Sequence, residues 1–160
     1  MPTDQLSIQP LPGAVPSDTG DRILIIDDDE NIVAGLSRRL IQQGFSVTLA
    51  ATGAQGSTTA HRDHPDLIIL DLRLPDTDGF SVCQELADAP DTCGTPVILL
   101  SGMTRPDIIR RPRAAGCQYF VRKPCDPGTL LALIRHSIDE SRRCQCAPGT
   151  GPAPQIVGRP

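Results

Sequence analysis

The sequence predicts an α/β fold, a doubly wound parallel sheet of five strands with helices on both faces. Two observations predict it. Short, continuously apolar runs recur along the chain, as expected for strands that are buried on both faces. Segments with helical spacing of apolar residues separate these runs, and strands that alternate with helices form parallel sheets through right-handed crossovers.

The folded unit is expected to span residues 21–140. Residues 1–20 are rich in Pro, Ser and Gly and show no sustained period, so we expect a flexible N-terminal segment. Residues 141–160 are rich in Pro and Gly, and we expect a flexible tail there.

Each predicted strand has its own apolar run. The strands are predicted at residues 22–27, 45–50, 66–71, 96–101 and 119–122. The first, third and fourth each contain four consecutive Ile, Leu or Val residues, which is typical of central strands in a parallel sheet.

The first two helices are predicted from spacing and from their ends. Ile32, Leu36 and Leu40 stand four apart and form one face of a helix, which Gly44 is expected to end. A further helix is predicted at 54–62, where a glycine and three hydroxyl residues lower the helix propensity.

The later helices are predicted from capping residues. Asp78 is expected to cap a helix over residues 80–87. Asp126 is expected to cap the last helix, with Pro127 at its first position.

Composition favours a cytoplasmic protein. No apolar run is long enough to cross a bilayer, and the N-terminus lacks the basic start and apolar stretch of a secretory signal. The six cysteines are therefore expected to be free thiols rather than disulfides. Cys144 and Cys146 form a C-x-C pair without a second ligand pair at zinc-site spacing.

Charge is distributed unevenly along the chain. The first 104 residues carry 15 acidic and 5 basic side chains, whereas the remaining residues carry 4 acidic and 10 basic ones. Such a basic part suits nucleic acid or an acidic protein partner. Because no nucleic-acid-binding motif accompanies it, we favour a protein partner that docks on the basic region Arg105–Arg113, without direct nucleic-acid or membrane binding.

Chemically competent side chains stand at the ends of four predicted strands. Asp27 and Asp28 follow the first strand, Asp71 ends the third, Ser101 ends the fourth and Lys123 follows the fifth. In open parallel sheets, ligands bind beyond these carboxyl ends. Clustered carboxylates repel one another, and a divalent cation such as Mg²⁺ offsets that repulsion.

A lysine and a hydroxyl beside such a cation suit a phosphoryl group, so the set predicts metal-assisted phosphoryl transfer to a carboxylate. Each residue alone has an ordinary structural explanation. Three aspartates after a strand commonly complement a helix dipole, and a single Asp71 or Ser101 is commonly a turn or cap residue. The occurrence of all these side chains together, each at the end of a predicted strand, favours a phosphoryl-transfer site over these separate explanations.

Five segments together carry a family resemblance. They are ILIIDDDE at 23–30, PDLIILDLRLPDTDG at 65–79, VILLSG at 97–102, AG at 115–116 and VRKP at 121–124. They resemble the receiver domain of two-component response regulators over essentially the whole predicted unit. The resemblance implies the flavodoxin-like strand order 2-1-3-4-5.

The resemblance also implies a role for each site residue. Asp71 matches the phosphorylated aspartate, which also contacts the metal. Asp28 matches a direct Mg²⁺ ligand and Asp27 one that acts largely through water. Arg73 would offer its backbone carbonyl to the metal.

Three further roles follow from the same resemblance. Ser101 and Lys123 match the hydroxyl and the amine that bind the phosphoryl group. The Lys123–Pro124 peptide is expected to be cis, which proline makes feasible. Phe120 matches the aromatic residue that reorients with Ser101 when the protein is activated.

The implied function is a phosphorylation-driven switch. A phosphohistidine on a sensor histidine kinase or a histidine phosphotransfer protein would supply the phosphoryl group, and the chain would then change its protein contacts. It would act as an enzyme only in its own phosphorylation and dephosphorylation. A phosphate sink or relay without its own output is the alternative within the family.

Three alternatives outside this function are disfavoured. A haloacid-dehalogenase-type phosphatase needs Asp-x-Asp; Asp27 and Asp29 have that spacing, but Arg73 stands two residues after Asp71 and the long cap insertions are missing. A nucleotide-binding domain would have a glycine-rich loop after the first strand, and none is present. A receiver that has lost phosphorylation would lack acceptor-site residues, all of which are present.

One segment departs from the family pattern. A helix is expected near 107–115, and Pro112 within it predicts a short or kinked helix. The resemblance implies that this helix, the fifth strand and the last helix form the output and dimer surface. Met103 and Arg73 match positions that tune the lifetime of the phosphate, and the protein that reads the switch is left open.

Overall fold

The computed structural model describes the backbone of residues 20–102, 119–145 and 155–157, and the side chains up to residue 143 within the first two ranges. Four helices and six strands lie within them. In chain order they are β1 Arg22–Ile26, α1 Glu30–Gln42, β2 Ser46–Ala50, α2 Gly53–Asp63, β3 Leu67–Asp71, α3 Gly79–Asp88, β4 Val97–Ser101, β5 Tyr119–Arg122, α4 Pro127–Gln145 and β6 Gln155–Val157.

The strands form one parallel sheet in the order β2-β1-β3-β4-β5-β6. The predicted fold class and the strand order 2-1-3-4-5 are confirmed. The sheet differs from the prediction in one strand, because β6 lies in the segment 141–160 that we expected to be a flexible tail. Three residues between proline and glycine carry too little pattern to predict a strand, and within the described part of the chain the edge of β5 is their partner.

The sheet separates two apolar layers. Alternate residues of each central strand face opposite layers, so that Leu24 and Ile26 pack with α2 and α3, whereas Ile23 and Ile25 pack with α1 and α4. This explains the continuous apolar runs, since both faces of these strands are buried. Among the described helices, none is long and apolar enough to cross a bilayer.

The helices begin at side chains that accept hydrogen bonds from their first turns. Asp78 accepts from the Ser81 N–H of α3 at 2.9 Å, and Asp126 accepts from the Thr129 N–H of α4 at 2.9 Å. Both predicted caps are therefore confirmed. Helix α4 continues to Gln145, five residues past the predicted end of the folded unit at 140.

Three cysteines lie within the described side chains, and all three are free thiols. Cys83 is buried, Cys125 is partly buried and Cys93 is exposed. Of the other three, Cys117 and Cys146 lie outside the described residues, and Cys144 is described only in its backbone.

Candidate functional site

Two aspartates come together because the strands that precede them are neighbours. β1 pairs with β3 in a register that sets Ile26 opposite Leu70, so the next residues, Asp27 and Asp71, occupy adjacent positions at the same edge. Asp28 lies beside them and is exposed. Carboxylate oxygens of Asp27, Asp28 and Asp71 all lie within 4.8 Å of one another.

Lys123 lies against two of these carboxylates. Its Nζ is 3.2 Å from Asp27 Oδ2 and 3.5 Å from Asp71 Oδ1. The backbone fixes its position, because the Lys123 N–H donates to the Ser101 carbonyl at 2.8 Å. The Lys123–Pro124 peptide is cis, as the family resemblance implied. The structure therefore brings together Asp27, Asp28, Asp71 and Lys123.

Asp29 has a different role from its two neighbours. Its Oδ1 accepts the N–H groups of Asn31 at 3.0 Å and Ile32 at 3.4 Å, and it caps α1. Its own N–H donates to Asp27 Oδ1 at 2.9 Å. This use of Asp29 as a cap weakens the phosphatase alternative, which needs that carboxylate as an acid or base beside Asp27.

Burial raises the pKa of Asp71 above its ordinary value, and the negative charge of Asp27 raises it further. The positive charge of Lys123 and a hydrogen bond from the Arg73 backbone act in the opposite direction and lower the pKa of Asp71. The side chain of Asp71 is 12% exposed, so that water screens these charges only weakly. The ionised form of Asp71 is therefore energetically unfavourable until a further cation neutralises the local negative charge.

The donor set fits a hard divalent cation. Three carboxylates offer oxygen ligands within 4.8 Å of one another, and Asp28 is exposed to water. Oxygen ligands with retained water molecules are what Mg²⁺ prefers. Arg73 follows β3 and forms an isolated antiparallel bridge with Asp78, which holds its backbone in the same turn.

Ser101 and Phe120 lie on β4 and β5, next to this cluster. Ser101 is 1% exposed, and its neighbour Leu100 is paired with Asp71 across the sheet. Phe120 is buried and packs in the layer that contains α2 and α3. The Phe120 side chain thus faces this buried layer, whereas Tyr119 and Val121 face the buried layer on the other side of the sheet.

The loop after Asp71 is held by a residue that our reading of the sequence missed. Asp76 accepts the N–H groups of Gly53 at 2.8 Å and Ala54 at 3.0 Å, so it ties this loop to the first turn of α2. The position of Asp76 in the quoted segment at 65–79 is the only signal of this role in the sequence, and its partners are more than twenty residues away.

Gly79 allows α3 to begin directly against β3. Its N–H donates to the Leu72 carbonyl at 2.7 Å. A Cβ at this position would lie 2.6 Å from the Asp71 carbonyl oxygen and 2.8 Å from Leu72 Cα, which are backbone atoms that cannot move aside independently. The glycine is therefore required by the turn that presents Asp71.

Part of the predicted functional region lies outside the described residues. This applies to Met103, to Pro112 and to the basic region Arg105–Arg113. The expected acidic-partner surface and the kinked helix thus stay predictions.

Comparison with known proteins gives a consistent result. The family model described as the response regulator receiver domain matches residues 23–135. The chain is 38% identical over 115 residues to the response regulator PleD of Caulobacter vibrioides, which covers 71% of this chain and 25% of PleD. It is 39% identical over 114 residues to the DNA-binding dual master transcriptional regulator RpaA of Synechocystis, which covers 71% of this chain and 47% of RpaA. The chain thus spans about a quarter to a half of these relatives.

Solved structures match over nearly their full length. A CheY-like receiver domain protein from Methanospirillum hungatei has a TM-score of 0.74 and 27% identity, and the match covers 78% of this chain and 98% of that one. The chemotaxis response regulator CheY4 of Vibrio cholerae has a TM-score of 0.70 and 28% identity, with 74% and 99% of the two chains covered.

Proposed function

Because this chain belongs to the response regulator receiver domain family, we propose that Asp71 accepts a phosphoryl group from a phosphohistidine of a partner protein. The phosphorylated chain then changes its protein–protein contacts. The convergence of three carboxylates and Lys123 at the carboxyl ends of β1, β3 and β5 carries this proposal.

The transfer is a displacement at phosphorus. A carboxylate oxygen of Asp71 forms the new P–O bond while the P–N bond to the histidine breaks. The imidazole nitrogen leaves with the electron pair and takes up a proton. Reaction with water later cleaves the acyl phosphate and restores the carboxylate, and the proposed chemistry of the chain is limited to its own Asp71.

Asp27, Asp28 and Asp71, with the backbone carbonyl of Arg73, are the groups that would hold Mg²⁺. When bound, the ion neutralises charge on the transferring phosphoryl oxygens and on the acidic cluster. Asp27 and Asp28 would hold the ion next to the Asp71 carboxylate, since oxygens of all three side chains lie within 4.8 Å of one another.

Lys123 and Ser101 are proposed to bind the phosphoryl group once it is on Asp71. Lys123 Nζ already lies 3.5 Å from Asp71 Oδ1, so it is placed to pair with a new phosphoryl oxygen. The Ser101 hydroxyl would be drawn toward the added negative charge. We propose that Phe120, on the adjacent strand, adjusts to that movement and transmits it to the surface.

Labelling with a small phosphodonor tests the proposal. The protein is incubated with acetyl phosphate and Mg²⁺, and we expect an acid-stable, base-labile phosphate at a stoichiometry approaching one per chain. Intact-mass measurement and peptide mapping identify the residue. Asp71→Asn should abolish the label.

Two variants serve as controls. Asp88→Asn changes an exposed carboxylate on α3 that has no hydrogen bond or ion pair among the described contacts, and it should label normally. Asp29→Asn keeps a good helix cap and should also label. Equal labelling in wild type and Asp71→Asn would defeat the proposal, and loss of label in Asp29→Asn would favour the phosphatase chemistry instead.

The proposed donor is a sensor histidine kinase or a histidine phosphotransfer protein, met in the cytoplasm. The proposed reader is a protein with an acidic surface that docks on the basic region Arg105–Arg113. The charge reversals Arg110→Glu and Arg113→Glu should weaken that binding, measured by co-purification of partners with the phosphorylated chain. Undiminished binding would exclude this region as the docking site, and absence of any partner bound to the phosphorylated wild type would favour a phosphate sink or relay.

A further inference from the structure

The proposed cation site draws its oxygen atoms from two segments of the chain. Asp27 and Asp28 follow β1, whereas Asp71 ends β3 and Arg73 lies in the loop after it, residues 72–78. The two segments are neighbours in the sheet but are far apart in sequence. The geometry of the site therefore depends on the contacts that hold this loop in place relative to the end of β1.

Backbone hydrogen bonds hold the two ends of the loop. The Leu72 N–H donates to the Leu100 carbonyl of β4 at 2.9 Å, and the Gly79 N–H donates to the Leu72 carbonyl at 2.7 Å. An isolated antiparallel bridge joins Arg73 to Asp78. These contacts close the loop but do not fix the direction of its middle residues.

Asp76 holds the middle of the loop with both of its carboxylate oxygens. Oδ1 accepts the Gly53 N–H at 2.8 Å, and Oδ2 accepts the Ala54 N–H at 3.0 Å. These N–H groups lie in the first turn of α2, where a helix leaves its backbone donors without partners and where negative charge is favourable. A contact through two oxygens also fixes the orientation of the carboxylate, so the loop has one preferred position on α2.

Close packing reinforces this contact. A Cβ added to Gly53 would lie 2.4 Å from Thr77 Cγ2 of the loop and 2.9 Å from Val82 Cγ2 of α3. Gly53 thus lies directly against the residue that follows Asp76, with no room for a side chain. The first turn of α2 and the loop cannot move apart without loss of both the hydrogen bonds and this contact.

The same helix packs on the end of β1. A Cβ at Gly56 would lie 2.3 Å from Cδ1 of Ile26, the residue before Asp27. Ser57 Oγ donates to Glu85 Oε1 of α3 at 2.7 Å, so that α2 is also tied to α3. α2 therefore contacts both the end of β1 and the loop after β3.

We propose that Asp76 is a positioning residue for the cation site, because it holds the loop that carries the Arg73 carbonyl against a helix packed on the end of β1. Asp76 acts through the backbone and does not itself bind the ion. A loop freed from α2 should hold the ion less tightly, because part of the binding free energy is then used to order the loop. The inference rests on the proposed function, in which the Arg73 carbonyl is one of the groups that would hold Mg²⁺.

Calorimetric titration of the full chain with Mg²⁺ tests this role. Asp76→Ala should weaken Mg²⁺ binding about tenfold, the lower end of the range for groups that orient metal ligands. Asp76→Asn keeps one acceptor oxygen for the Gly53 N–H and should recover part of the affinity. Equal weakening in both variants would assign the effect to the lost negative charge alone and would overturn the positioning role.

Thr52→Ala is the matched control. Thr52 Oγ1 accepts the Gln55 N–H at 3.1 Å and caps the same turn of α2, and this hydrogen bond does not involve the loop. Its loss weakens the start of the helix but should leave the Mg²⁺ affinity at the wild-type value. Weakening equal to that in Asp76→Ala would show that general loosening of α2 accounts for the effect, and the proposal would fail.

Amide exchange of the wild type is a second measurement that needs no variant. The Gly53 and Ala54 amides become exposed when the loop separates from α2, whereas Thr52 holds the Gln55 amide within the start of the helix. Saturating Mg²⁺ should slow exchange at Gly53 and Ala54 severalfold and leave Gln55 unchanged, since coupling between two sites is reciprocal. An equal response at all three amides, or none at any, would contradict the proposal.

The outcomes separate this inference from the proposed function. Labelling of Asp71 by acetyl phosphate, together with equal Mg²⁺ affinity in wild type and Asp76→Ala, would overturn the positioning role and leave the proposed function intact. Absence of both labelling and Mg²⁺ binding in the wild type would overturn both.

Discussion

Asp71 stands among groups that act on its charge in opposite directions. Burial and Asp27 raise its pKa, and Lys123 and the Arg73 backbone lower it, with a net rise. A single carboxylate in the turn after a strand would have no such conflict. The cost of the ionised side chain is what makes the site receptive to a cation.

Asp71→Asn is therefore expected to stabilise the metal-free protein at pH 7. An acid whose pKa rises on folding contributes stability below its ordinary pKa of 3.8, and that contribution is lost as the pH rises through the folded-state pKa. At pH 7 the ionised form is destabilising, so removal of the charge should raise Tm by a few degrees. The gain should shrink below pH 4, measured by thermal unfolding at low salt in EDTA. An unchanged Tm at pH 7 would contradict the raised pKa.

Mg²⁺ is expected to raise Tm of the wild type. A ligand that binds only the folded state contributes about 2.7 kcal/mol at a free concentration 100 times its Kd. Asp28→Asn should lose most of this effect because it removes the exposed ligand, whereas Asp29→Asn should retain it because that side chain caps α1. An equal rise of Tm with Mg²⁺ in Asp28→Asn would show that Asp28 is not a ligand of the ion.

The elements around the site are held by close approaches that small residues permit. Gly56 lies on α2 where the helix packs on β1, and a Cβ there would lie 2.3 Å from Ile26 Cδ1. Gly35 lies within α1 with nothing within 4 Å of its added Cβ. Both glycines weaken their helices by propensity, but only Gly56 is needed for packing.

The same substitution at these two positions is expected to have opposite effects. Gly35→Ala should stabilise the protein by about 0.8–1 kcal/mol through helix propensity. Gly56→Ala should destabilise it, since overpacking against the buried Ile26 costs about 1–3 kcal/mol and outweighs that gain. Urea unfolding of the two variants measures the change in the free energy of unfolding and shows whether it rises or falls in each. Stabilisation by Gly56→Ala would show that α2 can move away from β1.

The link from Asp76 to α2 is expected to depend on pH. Its two backbone hydrogen bonds lower the pKa of Asp76, so its contribution to stability is present above the ordinary pKa of 3.8 and is lost as the pH falls through the lower folded-state value. Asp76→Ala should lower Tm at pH 7, with a smaller difference near pH 2. Asp88→Ala is the control. An equal decrease of Tm in Asp88→Ala would show that the hydrogen bonds of Asp76 make no specific contribution to stability.

Across the whole molecule, two neighbouring strands connect the site with the buried aromatic side chain of Phe120. Ser101 pairs with Arg122, and Leu99 pairs with Phe120, so that β4 and β5 share one register from the buried hydroxyl to the aromatic side chain. A change at Asp71 that draws Ser101 inward would act on both strands. Two conformations of similar energy would then be biased rather than created.

Ser101→Ala is expected to separate phosphorylation from its consequence. The variant should still label on Asp71, because the carboxylates and Lys123 are intact. Hydrogen exchange at residues 119–122 should change on phosphorylation in the wild type but not in Ser101→Ala. A full exchange response in the variant would exclude Ser101 as the connection.

The sequence by itself determined the repeated local features of this protein. Four-residue apolar runs define the central strands, because a strand buried on both faces must be apolar throughout. Asp78 and Asp126 mark helix starts through hydrogen bonds to residues three positions away. The aspartates and the lysine at the strand ends could be grouped in advance, since parallel strands deliver their carboxyl ends to one edge.

Only the tertiary structure decided the features that join distant parts of the chain. The pKa of Asp71 depends on burial and on neighbours that β1 and β5 supply. The hydrogen bonds of Asp76 reach the start of α2, and β6 exists as a strand because β5 offers it an edge. Such contacts depend on distances in space between segments far apart in sequence, and no local pattern of apolar residues or caps records those distances.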